Sequence, residues 1–220
     1  MSWQPPLPSL STRKINYRSQ VSKRIVDVDH VTNRVIVSES GLEAGFTDIL
    51  RATCSYLHLQ EQPAPVTYIG PDGRDVTHTF DAFMTMPDGL RIAFDVKPRE
   101  FVESSGLRLQ HELIEAQVGS AFADRYLIRT EDHIHPDDVL DARTILRARR
   151  LPDAAADAAV AHLASGLSGW MRIRELVELT GLRAAAFNAI ARLVGARGLA
   201  VRDGERILPA SFVSRPDTQH

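Results

Sequence analysis

Residues 81–97 read DAFMTMPDGLRIAFDVK, which is the clearest fold signal in the sequence. Apolar and polar residues alternate from 90 to 97, which predicts a β-strand. Pro-Asp-Gly at 87–89 is a turn sequence, and residues 75–86 before it predict a second strand. The stretch is therefore expected to form an antiparallel hairpin.

The chain around this hairpin predicts an α/β domain. A helix is expected from Ser40, where Glu43 has the spacing of a capping box. The other elements expected are a strand at 66–69, a helix at 107–122, a strand at 126–130 and a helix at 137–150. Helix, three-stranded meander, helix and strand in this order indicate a mixed sheet flanked by helices. Residues 1–12, rich in Pro and Ser, are expected to be mobile.

A second, smaller domain is expected after a change of composition at Leu151-Pro152. The pattern predicts helices at 153–164, 174–180 and 184–197, with an extended segment at 170–173. A hairpin of 199–201 and 206–208 would turn at Asp203-Gly204. This order is typical of a winged helix. We therefore expect one domain over residues 1–150 and a winged-helix-like domain with a tail over 151–220.

Composition excludes several classes of protein. The 220 residues are 44% hydrophobic and 25% charged, an ordinary globular balance. No apolar run approaches the roughly 20 residues that a bilayer span needs, and the N-terminus has no apolar signal core. A lone cysteine, Cys54, can form neither an internal disulfide nor a cysteine zinc site. We expect a cytoplasmic protein without a membrane partner.

Charge is distributed unevenly. Residues 1–35 hold six basic and two acidic side chains, whereas residues 36–100 hold ten acidic and five basic ones. A basic arm beside an acidic block fits a metal-dependent enzyme of nucleic acids. A solvated N-terminal segment is the simpler alternative.

Four charged residues carry the candidate chemistry. Asp95 and Lys97 are two apart on a strand and share a face, opposite the apolar residues expected on the core side. The hairpin brings Asp81 beside them, and Glu43 can approach from the preceding helix. Carboxylates at close range bind Mg²⁺, which polarises a phosphate and activates a water, and a lysine can orient that water or neutralise charge. The set predicts phosphodiester hydrolysis.

The ordered set resembles the PD-(D/E)xK nuclease superfamily, and more narrowly the TnsA-like endonuclease subunit of heteromeric transposases. The resemblance is carried by Glu43 in Gly-Leu-Glu-Ala-Gly-Phe, by Gln62-Pro63, by His-Thr-Phe-Asp at 78–81 and by Phe-Asp-Val-Lys-Pro at 94–98. It extends over residues 13–150, and the tail fits the family's second domain. Each motif alone is weak, but the four in order are fairly specific.

The resemblance implies a role for each of these residues. Glu43 matches the catalytic glutamate, Asp81 the first metal-binding aspartate and Lys97 the catalytic lysine. Asp95 occupies a position that varies within the family, and it would hold the metal together with the main-chain carbonyl of Val96. The implied cofactor is Mg²⁺, with Mn²⁺ as a substitute.

The resemblance also implies a biological role. The family cuts the 5′ ends of a transposon, beside a DDE-type transposase subunit that cuts the 3′ ends and usually an AAA+ ATPase regulator. This implies DNA as a partner and a bacterial cytoplasm, with association to the nucleoid during transposition. One departure is Phe80, which stands where the superfamily has proline. Little loss is expected, because that residue should face away from the metal.

Several alternatives remain open from the sequence. Glu43 can be a capping residue alone, and Asp95 with Lys97 can be a solvated pair. The same core can serve a restriction or repair nuclease, or an inactive winged-helix adaptor or regulator. His133 and His135 have a spacing that can bind metal, although a surface loop explains them more simply.

The tail could contact either DNA or a partner protein. Residues 151–214 hold seven basic and six acidic side chains, a poor balance for autonomous DNA binding. The arginines that could meet phosphates are Arg183, Arg192, Arg197, Arg202 and Arg206.

Overall fold

A computed structural model describes residues 4–12, 24–29 and 31–216. The fold is mixed α/β, as expected, and the described chain forms two compact units. The first extends to Thr47 and continues from Ser55 to His135, and the second comprises Asp48–Cys54 and the chain from Pro136 onward. The contacts therefore group the helix that follows His135 with the second unit, whereas the change of composition suggested a boundary after residue 150.

The first unit contains the predicted sheet and additional strands. Its elements are β1 (Ile25–Asp29), β2 (Arg34–Ser38), the start of α1 (Gly41–Thr53), β3 (His58–Glu61), β4 (Val66–Ile69), β5 (Asp75–His78), β6 (Ala82–Thr85), β7 (Arg91–Val96), α2 (Arg99–Val102), α3 (Leu107–Gln117) and β8 (Arg125–Arg129). A short 3₁₀ turn, Gly119–Ala121, follows α3.

The main sheet has the order β3-β6-β7-β8. Strands β3, β6 and β7 pair antiparallel, and β7 pairs parallel to β8, so the sheet is mixed. Two further hairpins, β1-β2 and β4-β5, form separate sheets. The single strand expected at 75–86 is wrong in one respect, because the chain leaves β5 at His78 and enters a different sheet at Ala82.

Strand β7 is buried on both faces. Phe94 packs edge-on against Phe46 of α1, with ring centroids 5.0 Å apart. On the opposite face Ala93 lies in a core cluster with Phe80 and with Ile114 of α3. The expectation of a polar face opposite the core is therefore corrected, because α3 covers the face that carries Ala93.

Residues 4–12 are tied to the first unit, so the expectation of a mobile segment is wrong for them. The Leu7 N–H donates to the Asn33 carbonyl at 2.7 Å, and the Val35 N–H donates to the Leu7 carbonyl at 2.9 Å. The Thr12 N–H donates to the carbonyl of Gln62 at 3.0 Å. Four of the six basic residues of the predicted arm lie outside the described residues: Arg13, Lys14, Arg18 and Lys23.

The second unit packs helices with a small sheet. After Asp48–Cys54 its elements are α4 (Pro136–Arg149), α5 (Ala154–Ser165), β9 (Met171–Arg172), α6 (Ile173–Thr180), α7 (Ala184–Gly195), β10 (Ala200–Val201) and β11 (Phe212–Ser214). The strand order is β10-β11-β9, all antiparallel. The second arm of the predicted hairpin is therefore Phe212–Ser214 and not residues 206–208, which do not form a strand.

One arginine of the second unit joins its elements. The Arg192 guanidinium contacts an Asp157 carboxylate oxygen at 2.7 Å and donates to the Ala148 and Leu151 carbonyls, each at 2.8 Å. The Arg192 side chain is only 13% exposed. It therefore links α7 to α5 and to the end of α4, and it is a poor candidate for a phosphate contact.

Within the described ranges, no helix has the length and apolar character that crossing a bilayer would require.

Candidate metal and catalytic site

Asp81 lies directly against the Asp-Val-Lys segment of β7. Its N–H donates to the Phe94 carbonyl at 2.9 Å, which extends the antiparallel pairing of β6 and β7 by one residue. Its carboxylate oxygen Oδ2 accepts a hydrogen bond from the Val96 N–H at 2.7 Å. The hairpin thus brings Asp81 to Asp95 and Val96, as the sequence predicts.

The electrostatics of Asp81 reveal an acidic cluster. The pKa of Asp81 is raised to about 8, first by burial and then by the negative charges of Asp95, Glu43 and Glu39. The hydrogen bond from the Val96 N–H opposes this rise. Carboxylates that repel one another in a partly buried site need a proton or a cation. The residues present therefore fit a hard divalent cation such as Mg²⁺.

Glu43 also has the capping role that its spacing indicates. Its N–H donates to Ser40 Oγ at 3.1 Å, and its carboxylate Oε2 accepts from the Glu39 N–H at 2.8 Å. This resembles a capping box, except that the glutamate side chain accepts from the N–H of Glu39 and not from that of Ser40. Since Glu43 also influences the Asp81 charge, the cap and the acidic cluster share this residue. Glu39 is an acidic neighbour that the sequence analysis missed.

Asp95 has two partners that the sequence analysis also missed. Its Oδ2 lies 2.7 Å from His78 Nε2 and 2.7 Å from His111 Nε2. Burial alone would raise the pKa of Asp95, but hydrogen bonds from His111 and His78, together with their charge, outweigh burial and lower it. Asp95 is thus held as a carboxylate between two imidazoles and is not a solvated surface acid.

The two histidines come from elements on one side of the sheet. His78 ends β5, and His111 lies on the buried side of α3 with Leu107 and Ile114. Phe80 is fully buried and contacts both rings edge-on, with centroid distances of 4.7 Å to His78 and 5.5 Å to His111. Leu107, His111 and Ile114 have helical core spacing, so a polar His111 among apolar positions was the available signal.

Lys97 continues β7 by one main-chain bond. Its N–H donates to the Arg129 carbonyl at 2.9 Å, and the residue is half-buried. No hydrogen bond or ion pair joins its ammonium group to another residue in the described part of the chain. By strand alternation Lys97 shares the face of Asp95. The structure therefore groups Asp81, Asp95 and Glu43. It places Lys97 directly after β7, the strand that carries Asp95.

The remaining sequence candidates lie elsewhere. His133 follows β8, and its Nδ1 lies 3.3 Å from the Thr130 main-chain nitrogen within a local turn, as a surface loop predicts. Asp72 and Asp88 occupy exposed turns, where each accepts a hydrogen bond from the N–H two residues ahead. Neither carboxylate belongs to the acidic cluster around Asp81.

Comparison with known proteins does not supply an assignment. No protein-family model matches this sequence, and no curated protein matches it either.

Proposed function

We propose that this chain is a Mg²⁺-dependent DNA endonuclease subunit of a heteromeric transposase, with a TnsA-like nuclease core of the PD-(D/E)xK type. The observation that supports this most is the 2.7 Å hydrogen bond from the Val96 N–H to Asp81 Oδ2. This bond joins Asp81, the first aspartate of the motif, to Val96, the middle residue of the Asp-Val-Lys sequence at 95–97. The raised pKa of Asp81, caused by burial and three neighbouring carboxylates, adds a reason for a cation to bind there.

Each residue of the proposed centre has a chemical task. Asp81, Asp95, Glu43 and the Val96 carbonyl would hold Mg²⁺. The ion supplies Lewis-acid polarisation of the scissile phosphate and lowers the pKa of a water. Lys97 would orient the attacking water or stabilise the charge that develops on the phosphate. His78 and His111 keep Asp95 ionised, and an ionised carboxylate is the form that a cation needs.

The partners follow from this proposal. The chain would cut the 5′ ends of transposon DNA beside a DDE-type transposase subunit and an AAA+ ATPase regulator in the bacterial cytoplasm, at the nucleoid. The second unit would be a winged-helix-like module. Because Arg192 is committed to Asp157 and to main-chain carbonyls, docking to a partner protein suits this unit better than phosphate contact.

Strand cleavage in the reconstituted system tests the assignment. Asp81→Asn and Lys97→Ala should each abolish cleavage of the transposon ends, by about a thousandfold or more, while far-UV circular dichroism stays unchanged. Asp72→Asn is the matched control, because it removes the charge of an exposed turn carboxylate. Full cleavage by Asp81→Asn or by Lys97→Ala would contradict the proposal.

Metal binding tests the centre without the partners. Calorimetry with Mn²⁺ should detect one site in the native chain that weakens at least tenfold in Asp81→Asn and stays unchanged in Asp72→Asn. Mn²⁺ is chosen because it binds oxygen ligands more tightly than Mg²⁺. Absence of binding in the native chain would favour the inactive adaptor instead.

A further inference from the structure

We propose that His78, Asp95 and His111 form a second metal site, for a borderline first-row transition ion such as Zn²⁺. This site differs in ligand chemistry from the oxygen-ligand centre at Asp81. It goes beyond the proposed nuclease function: it shares Asp95 with the proposed centre, but its two histidine ligands bind no metal there.

The convergence of three ligand atoms carries the proposal. The imidazole Nε2 atoms of His78 and His111 each lie 2.7 Å from the same carboxylate oxygen of Asp95. All three atoms lie within 4.8 Å of one another. Two imidazoles with one carboxylate form a ligand set used for Zn²⁺ and Fe²⁺, whereas Mg²⁺ prefers oxygen alone.

The ligand atoms need only a small rearrangement to hold an ion. Zn²⁺ bonds to nitrogen and oxygen are about 2.0–2.1 Å long, so two tetrahedral ligands lie roughly 3.3 Å apart. Each imidazole must therefore withdraw from Asp95 Oδ2 by about half an ångström to admit the ion. The two Nε2 atoms, which lie within 4.8 Å of each other, must adopt the same spacing. In each neutral ring the single proton moves from Nε2 to Nδ1 through solvent, which leaves the Nε2 lone pair to bind the ion.

Packing holds these ligands in place before any ion arrives. They come from three separate elements, β5, β7 and α3, and Phe80 lies edge-on to both imidazoles. The exposed fractions of the three side chains are 6% for Asp95, 8% for His111 and 15% for His78. Three fixed protein ligands leave a fourth position for water, which is the arrangement of an open zinc site.

The site can be reached from solvent. His78 lines an open surface pocket of about 490 Å³ together with Pro65, Thr77 and Thr79. An ion can therefore approach along the His78 edge, which is the most exposed of the three ligands. The Oδ1 atom of Asp95 is left out of this ligand set, so one carboxylate can serve both metal centres.

Titration of the full chain with Co²⁺ tests the proposal, because Co²⁺ in a tetrahedral site with imidazole ligands absorbs visibly. One equivalent should give the intense bands of tetrahedral Co²⁺, Zn²⁺ should abolish them, and millimolar Mg²⁺ should not. His111→Gln and His78→Gln should weaken Co²⁺ binding about a hundredfold, since even loss of an outer partner costs 10- to 100-fold. Glutamine keeps an N–H donor toward Asp95, so these variants should remain folded, as near-UV circular dichroism can verify.

The controls separate this site from the proposed nuclease centre. His58→Gln alters an exposed histidine of β3 and should leave the Co²⁺ bands unchanged. Asp81→Asn should also keep the bands while it removes Mn²⁺ binding and cleavage. No Co²⁺ or Zn²⁺ binding in the native chain, or equal binding in His111→Gln, would overturn the proposal and leave a hydrogen-bonded triad only. Neither result would bear on cleavage.

Discussion

The protonation of a single residue, Asp81, affects the stability of the folded chain. Its pKa is about 8 in the folded chain, because of burial and the charges of Asp95 and Glu43, whereas an unfolded aspartate titrates near 3.9. Between about pH 4 and pH 8 the folded chain therefore binds a proton that the unfolded chain releases. The free energy of unfolding decreases as the pH rises, by at most about 1.4 kcal/mol per pH unit. The acidic cluster destabilises the folded chain most above pH 8.

Asp81→Asn should remove this pH dependence. In EDTA, urea unfolding at pH 8.5 should find the variant more stable than the native chain, and the two should converge near pH 4.5. The asparagine oxygen can still accept the hydrogen bond from the Val96 N–H. Asp88→Asn, in an exposed turn, serves as the control and should follow the native curve. Parallel curves for Asp81→Asn and the native chain would show that Asp81 is ionised throughout.

Residues differ in how far the sequence can predict their place. Asp81 and Asp95 could be grouped, because a hairpin with an identifiable turn fixes which residues of its two strands face each other. His111 could not, because nothing local determines which strand residue a distant helix covers. The same limit hid the partners of Asp95, which lie 17 and 16 residues away on separate elements.

Among the helices and strands, the first turn of α1 contains Glu43, and two substitutions there can separate its two roles. Glu43→Gln keeps an oxygen that can accept from the Glu39 N–H but removes the charge beside Asp81, whereas Glu43→Ala removes both. Thermal unfolding at pH 6 should therefore find Glu43→Gln close to native and Glu43→Ala about 1 kcal/mol less stable. Both should lose Mn²⁺ affinity. If Glu43→Gln keeps native affinity for Mn²⁺, Glu43 is a helix cap only.

The sequence predicts one strand over residues 75–86, but the structure has two, separated by residues 79–81. Residues 75–86 have continuous strand character, and composition does not reveal that Phe80 enters the core while the chain crosses between sheets. Strand β3 was missed for a related reason. Its sequence, HLQE, is polar, and it is a strand only because β6 pairs with it.

For the whole molecule, DNA binding depends on which basic side chains are already paired with carboxylates. In the second unit Arg202 pairs with Glu205, and Arg206 lies near the carboxylates of Asp137 and Asp141. Arg202 and Arg206 are therefore poor candidates for phosphate contacts. An excess of basic residues also lies at the N-terminal end of the sequence, where Arg13, Lys14, Arg18 and Lys23 have few acidic neighbours along the chain.

We expect DNA affinity to depend on the N-terminal basic residues and not on Arg202 or Arg206. Replacing Arg13, Lys14, Arg18 and Lys23 with glutamine should weaken binding to a duplex more than tenfold at 50 mM salt. It should also reduce the salt slope, log Kd against log salt, by up to about 3–4, since each phosphate contact contributes roughly 0.9. Fluorescence anisotropy at several salt concentrations measures both. The matched double variant Arg202→Gln with Arg206→Gln should change neither, because carboxylates already neutralise those charges. A larger loss in the double variant would instead assign DNA contact to the second unit.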